Sequence, residues 1–201
     1  MTVVTGKDFN IKLGYIPRKR YDNDEFVFIP VGANDFYERM REANKTLIAE
    51  GCGDFLTCLN KPNGHEGLWV SPCHDNFSVW GGACVDLKFK DDYADTYYEV
   101  IPHDNCRILI IDSLEEYIKF EKEFDFQWDF IAKEYDMIFL NSIAAMNPTF
   151  IFKTPVIKPK YRLMMYGWDC VSGVFLNEKF TLGERHKYDH ELSNSDYRQL
   201  V

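Results

Sequence analysis

Apolar positions recur along this chain at two spacings, alternating where strands are expected and every three to four residues where helices are. Residues 25–31 (Glu-Phe-Val-Phe-Ile-Pro-Val) predict a strand, with Pro30 at its edge or end. Asn34 then caps a helix whose Phe36, Met40, Ala43 and Leu47 share a face, and Gly51 and Gly53 end it. A short strand follows at Gly67–Ser71, stopped by Pro72, and Asp75 is placed to cap a helix carrying Phe77, Trp80 and Cys84. Thr96–Ile101 and Cys106–Asp112 predict two further strands, the second apolar enough for a central place. Ser113-Leu-Glu-Glu116 has the form of a capping box, so a helix starts at once with Leu114, Tyr117 and Phe120 inward. A second helix covers about 126–134 on the anchors Trp128 and Ile131. Asp136–Asn141 predicts a strand, Phe150–Lys153 a weaker one, and Ser172–Asn177 a last one that closes the sheet. Beyond Glu184 the residues are polar and charged and predict a surface tail.

Helices and strands mix here without the strict alternation of a parallel doubly wound sheet. The expected class is therefore α+β, with a mixed, largely antiparallel sheet and flanking helices. No linker or repeat divides the chain, so residues 1–201 are expected to form one domain, with a core at about 25–180 and a polar tail at about 184–201.

Composition narrows the partners. A net charge of −9 opposes sequence-independent nucleic-acid binding, and the one basic patch is Arg18-Lys19-Arg20. Aromatic residues make up 16% of the chain, an excess that favours a stacking site beyond the needs of a core. No segment approaches the roughly 20 apolar residues of a membrane-spanning helix, and Met1–Leu13 holds no secretory apolar run. A soluble, cytoplasmic protein with no membrane partner is expected. Cys52, Cys58, His65, Cys73 and His74 share a window, and His186 and His190 stand four apart. No paired C-x-x-C accompanies them, so no metal is expected. Cys106 and Cys170 lie in apolar contexts and are expected in the core.

Two segments carry candidate chemistry. In Gly67-Leu-Trp-Val-Ser-Pro72, alternation puts Trp69 and Ser71 on one face and Leu68 and Val70 on the other. Trp69 offers a stacking plane, Ser71 a hydroxyl, and Gly67 a close approach for a ligand or a second backbone. The alternative is a core tryptophan beside a Ser-Pro turn. Trp80, on the following helix, is expected to fix that helix against the sheet beneath a pocket. The second segment, Gly167-Trp168-Asp169, sets an aromatic beside a carboxylate just before Ser172 and Gly173 open a strand. Asp169 also suits a plain turn. His65 and Glu66, in the loop before Gly67, are possible general bases, although adjacent polar loop residues of this kind are usually solvated. Lys61 and Asn63 are within the same loop. No Gly-x-Ser-x-Gly elbow and no phosphate-cradling glycine loop occurs. Cys58 and Cys73 stand outside any recognisable nucleophile context.

Taken in order, these pieces resemble the ADP-ribosyltransferase superfamily, in particular its small bacterial and phage-type members. The likeness rests on Trp69-Val70-Ser71 as an apolar strand ending in serine, on Trp80 in the next helix, on Tyr135-Asp136-Met137-Ile138, and on the closing Ser172-Gly-Val-Phe. It spans roughly residues 25–180 as short motifs. The resemblance implies a split sheet and an intracellular enzyme (a toxin, a defence factor or a phage-encoded modifier). Such an enzyme consumes NAD and transfers ADP-ribose to a protein or nucleic-acid acceptor. It implies Gly67, Trp69, Ser71, Trp80 and Trp168 as the NAD-binding set, with Asp169 and Ser172 as the catalytic pair. Ser172 stands where the family normally carries glutamate, so Asp169 or Glu178 would supply the charge. The first strand carries no His or Arg to hold the nucleotide; Arg18 and Arg20 lie just upstream. A non-catalytic nucleotide- or protein-binding module on the same scaffold is the alternative.

Overall fold

Alternation along Leu68–His74 sorts its side chains onto two faces of one sheet, and the rest of the architecture follows from what covers each face. The computed structural model describes residues 1–19, 28–32, 66–124, 127–141 and 170–193. Nine strands are formed among them: β1 (Thr2–Thr5), β2 (Leu13–Tyr15), β3 (Leu68–His74), β4 (Phe77–Ser78), β5 (Thr96–Pro102), β6 (Arg107–Ile111), β7 (Met137–Leu140), β8 (Ser172–Phe175) and β9 (Phe180–Lys187). The helices are α1 (Val79–Asp86), α2 (Leu114–Phe124) and α3 (Trp128–Glu134). The strand order is β1-β6-β7-β8-β3-β2-β5-β9, with β4 attached to β3. Only β6 and β7 pair in parallel among the described residues, joined through α2 and α3. The protein is thus α+β with a largely antiparallel open sheet, as its sequence predicts.

On one face, Leu109, Ile111, Ile138, Leu140 and Val174 pack against Tyr117 and Phe120 of α2 and Trp128 and Ile131 of α3. On the other, Ile108, Met137, Phe139, Phe175, Leu68 and Val70 meet Leu13 and Val100. That second contact requires curvature. β5 stands seventh and β6 second in the order, yet His103–Cys106 alone connect them. A flat sheet would separate them by about 24 Å, and a chain of that length reaches at most about 17 Å. The sheet therefore rolls until β2, β5 and β9 cover β6–β8, and Phe175 meets Phe180 with ring centroids 4.9 Å apart.

Several expectations are corrected. Pro72 does not stop β3, which runs on to His74. Cys73 N donates to Lys12 O on the β2 side, so the nitrogen of Pro72 faces the opposite edge, where the β8 ladder has ended at Val70. Asp75 is not a helix cap. It turns the β3–β4 hairpin at φ 51°, a conformation Asp tolerates, while Ser78 caps α1 by accepting from Gly81 N at 3.4 Å. Phe77 accordingly lies in β4, not on the helix. Ser172–Phe175 does not close the sheet: Phe180–Lys187, expected in part as tail, is the edge strand β9 paired to β5. Thr2–Thr5 and Leu13–Tyr15 also join the sheet from outside the 25–180 span. Half of the capping box forms. Glu116 N donates to Ser113 Oγ at 3.2 Å, but the Glu116 carboxylate accepts from Asp112 N at 2.8 Å instead of from Ser113.

Of the strand expected at 25–31, residues 28–31 are described and form no ladder, although Ile29 O accepts from Gly67 N and Val31 N donates to Leu176 O. The helix expected over 34–49 and the strand at 150–153 lie outside the described residues. The Tyr117 and Phe120 expectations for α2, the Trp128 and Ile131 anchors of α3, and burial of Cys106 and Cys170 all hold.

Candidate functional site

The strand after Gly67 and the strand that Ser172 opens meet through one ladder. β3 pairs antiparallel with β8, Leu68 opposite Phe175, Trp69 opposite Val174 and Val70 opposite Gly173. One rung further, Ser71 and Ser172 come to neighbouring positions at the end of that ladder. Leu140 of β7 flanks Ser172 on its other side, and Ile111 of β6 flanks Leu140. The carboxyl ends of β6 and β7, the start of β8 and the middle of β3 therefore share one end of the sheet. In open sheets with parallel strands, this is where ligands bind.

Each predicted residue has a definite place. Trp69 is half-buried and packs on the face that α2 and α3 cover, opposite to Leu68 and Val70, as alternation predicts. Ser71 is fully buried, and its Oγ accepts from Trp80 N at 3.0 Å and lies 3.2 Å from Ser78 Oγ. Two serines thus satisfy the first free amides of α1. Trp80, half-buried, sets its ring edge-to-face on Tyr93 at 5.5 Å, fixing α1 against the sheet. Ser172 is buried and donates to Cys170 O at 3.0 Å. Gly67 directly precedes β3 at the other end of the ladder, about 13 Å from Ser71 at strand spacing. Trp168 and Asp169 lie outside the described residues, as do Cys52, Cys58, Lys61, Asn63, His65 and Arg20.

Replacing Ser71 by alanine removes the acceptor of a largely buried amide. We expect Ser71→Ala to lower unfolding free energy by about 1–3 kcal/mol, and Ser78→Ala by about 1 kcal/mol, measured by urea denaturation. An unchanged midpoint in Ser71→Ala would show that its hydroxyl does not hold α1.

One feature of this end is not visible in the sequence. Asp112 and Asn141 follow β6 and β7, and the parallel register brings them together, with Asn141 Nδ2 donating to Asp112 Oδ1 at 2.9 Å. Both are exposed, so a carboxylate oriented by an amide faces solvent beside Ser172. Such a pair can accept hydrogen bonds from ligand hydroxyls. The available signal was a polar residue closing each apolar run. Arg18 is committed elsewhere: its Nε donates to Tyr93 Oη at 2.8 Å, with the guanidinium 5.3 Å from the ring centroid. Lys19, Lys90, Tyr93 and His190 line a surface cleft of about 290 Å³, where Lys90 Nζ is paired to Glu191 at 2.8 Å.

At the opposite end of β3, Glu66 departs from expectation most sharply. It is 0% exposed, and neither carboxylate oxygen has a hydrogen-bond partner. Leaving a buried polar group without a hydrogen-bond partner costs about 1–3 kcal/mol, so its enclosure calls for an explanation.

Cys73, Cys84, Cys106 and Cys170, the cysteines among the described residues, are all buried. Burial pushes the Cys73 thiol up to about 11, with Tyr97 hydrogen-bonded to it opposing the shift, and pushes Cys106 up to about 12. No group of three or more His, Cys, Asp and Glu side chains suited to a metal ion occurs among the described residues.

Compared with known proteins, the chain matches no family model, no curated protein and no solved structure.

Proposed function

We propose that this protein is an ADP-ribosyltransferase that consumes NAD and modifies an intracellular macromolecule. The observation that carries the reading is the β3–β8 ladder, which pairs the strand bearing Trp69 with the strand that Ser172 opens, at a sheet end where Ser71, Ser172 and the exposed Asp112–Asn141 pair converge. Breaking the nicotinamide–ribose bond leaves positive charge on the sugar, and a nearby carboxylate stabilises it. In this reading Asp169, three residues before Ser172, supplies that charge. Trp69 and Trp168 wall the ring against water. Ser71 acts at one remove, by holding α1 in place, and Gly67 and Trp80 complete the NAD-binding set.

Incubation of the folded chain with labelled NAD and a cell lysate tests this. Label transfer to protein or nucleic acid, or release of nicotinamide, is expected, and Asp169→Asn should lower either rate by about 100-fold or more, the scale of a lost electrostatic partner. Absence of both reactions overturns the reading.

A non-catalytic binding module is the second reading. It is favoured by the commitment of both serine hydroxyls to protein partners, which leaves neither free for chemistry. It requires saturable nucleotide binding without turnover, undiminished in Asp169→Asn.

A further inference from the structure

The polar atoms around Asp112 and Asn141 are nearly all committed, and those left over restrict what can sit there. Both backbones are pinned. Asn141 N donates to Ile111 O at 2.9 Å, and Asp112 N donates to the Glu116 carboxylate at 2.8 Å. The other oxygen of Glu116 takes the terminal ammonium of Met1, so this neighbouring carboxylate is satisfied. Between the two side chains, Asn141 Nδ2 donates to Asp112 Oδ1 at 2.9 Å, which fixes one against the other. Asp112 Oδ2 and Asn141 Oδ1 then remain as acceptors without a partner among the described residues, with the second N–H of Asn141 as a spare donor. Both side chains are exposed, so a ligand can reach them.

Two acceptors and one donor at fixed neighbouring positions sort the ligand classes. A phosphate or carboxylate has no proton to give and is repelled by Asp112. An ammonium or guanidinium only donates, which leaves the spare N–H of Asn141 unused. A hydroxyl both donates and accepts, and two hydroxyls on adjacent carbons meet both residues at once. The place agrees with the chemistry: Ile111 and Leu140 end the parallel β6–β7 ladder, and sheets with parallel strands bind ligands outside their carboxyl ends, where a carboxylate commonly holds ribose hydroxyls. We propose that Asp112 and Asn141 form a binding site for a vicinal diol, supplied by the pentose of a nucleoside or by a free sugar. The site shares its end of the sheet with the transferase reading but requires neither group transfer nor a nicotinamide ring, so the two fail separately.

Nuclear magnetic resonance titration of the isotope-labelled full chain, read at the Asp112 and Asn141 amides, tests it. The probes are adenosine, its dideoxy analogue lacking both ribose hydroxyls, D-ribose and L-arginine. The wild type should hold adenosine at least about ten-fold more tightly than the dideoxy analogue, which differs only in the hydroxyls. Asp112→Asn, which keeps the shape and removes the charged acceptor, should bring the two level by weakening adenosine alone. Saturation by D-ribose as well as adenosine supports the inference and assigns the site to sugars in general; saturation by adenosine alone supports it and assigns the site to nucleosides. Equal affinity for adenosine and its dideoxy analogue overturns it, as does a preference that survives Asp112→Asn. Tighter binding of L-arginine than of adenosine, or no saturable shift with either diol, also overturns it. Label transfer from NAD in the assay above, without a diol preference here, would leave the transferase reading standing alone. The wild-type comparison needs no variant, so it decides the matter even if Asp112→Asn does not fold.

Discussion

Trp128→Ala is expected to lower unfolding free energy by about 3–5 kcal/mol, at the upper end for a single core truncation. Trp128 is only 1% exposed and sits where α3 meets the sheet, its ring centroid 6.3 Å from that of Phe120 in α2. The helix it anchors has seven residues, and its N-cap, Gln127, makes no side-chain capping bond. A helix that short does not persist in water on propensity alone, so packing must hold it. Removing the indole leaves a void in the cluster it shares with Ile131, Ile138 of β7 and Leu176. Urea denaturation of the variant, alongside Ile131→Val as a smaller truncation costing about 0.5–1.5 kcal/mol, checks the ranking. A loss below about 1 kcal/mol in Trp128→Ala would mean that α3 is held by something other than this core.

Legibility of the fold followed how local each determinant is. β6, β7, α2 and α3 carry complete signals within their own residues: an apolar run bounded by polar ones, or anchors at helical spacing after a Ser-x-x-Glu start. β9 does not. Glu184, Arg185, His186 and Lys187 are the charged residues that protect an edge strand, and the same residues read as a tail when the partner strand is unknown. The place of Pro72 inside a strand is hidden from local sequence for a similar reason. Its tolerance depends on where the β8 ladder ends, which is a fact about residues a hundred positions away.

The candidate site was half legible on the same grounds. Trp69, Ser71 and Ser172 were visible as residue types at strand ends, and the face assignment of Trp69 came directly from alternation. The Ser71 bond to Trp80 N, the meeting of Asp112 with Asn141, and the enclosure of Glu66 were not visible. The first needs the hairpin at Asp75 to bring α1 back over β3, the second needs the parallel register of β6 with β7, and the third depends on what closes over a loop.

Gly67→Ala is expected to cost about 2–5 kcal/mol, combining the penalty of about 1–2 kcal/mol for a side chain at positive φ with about 1–3 kcal/mol for overpacking. Two obstacles act together here. The backbone at φ +74° lies in the left-handed region, and the added methyl would stand 2.8 Å from Phe175 O, a backbone atom that cannot swing aside like a side-chain terminus. Relief by shifting β8 would disturb the Leu68–Phe175 pair and the bond from Leu176 N to Asp136 O. Gly183→Ala is the matched control, because its new methyl would meet only side-chain atoms of Glu99 and Ile101, at 3.1 Å or more. It should change stability by less than about 1 kcal/mol, since alanine also lowers the entropy of the unfolded chain. Denaturant midpoints for the two variants decide the point. Equal midpoints would show that the entrance to β3 yields freely to an added methyl group.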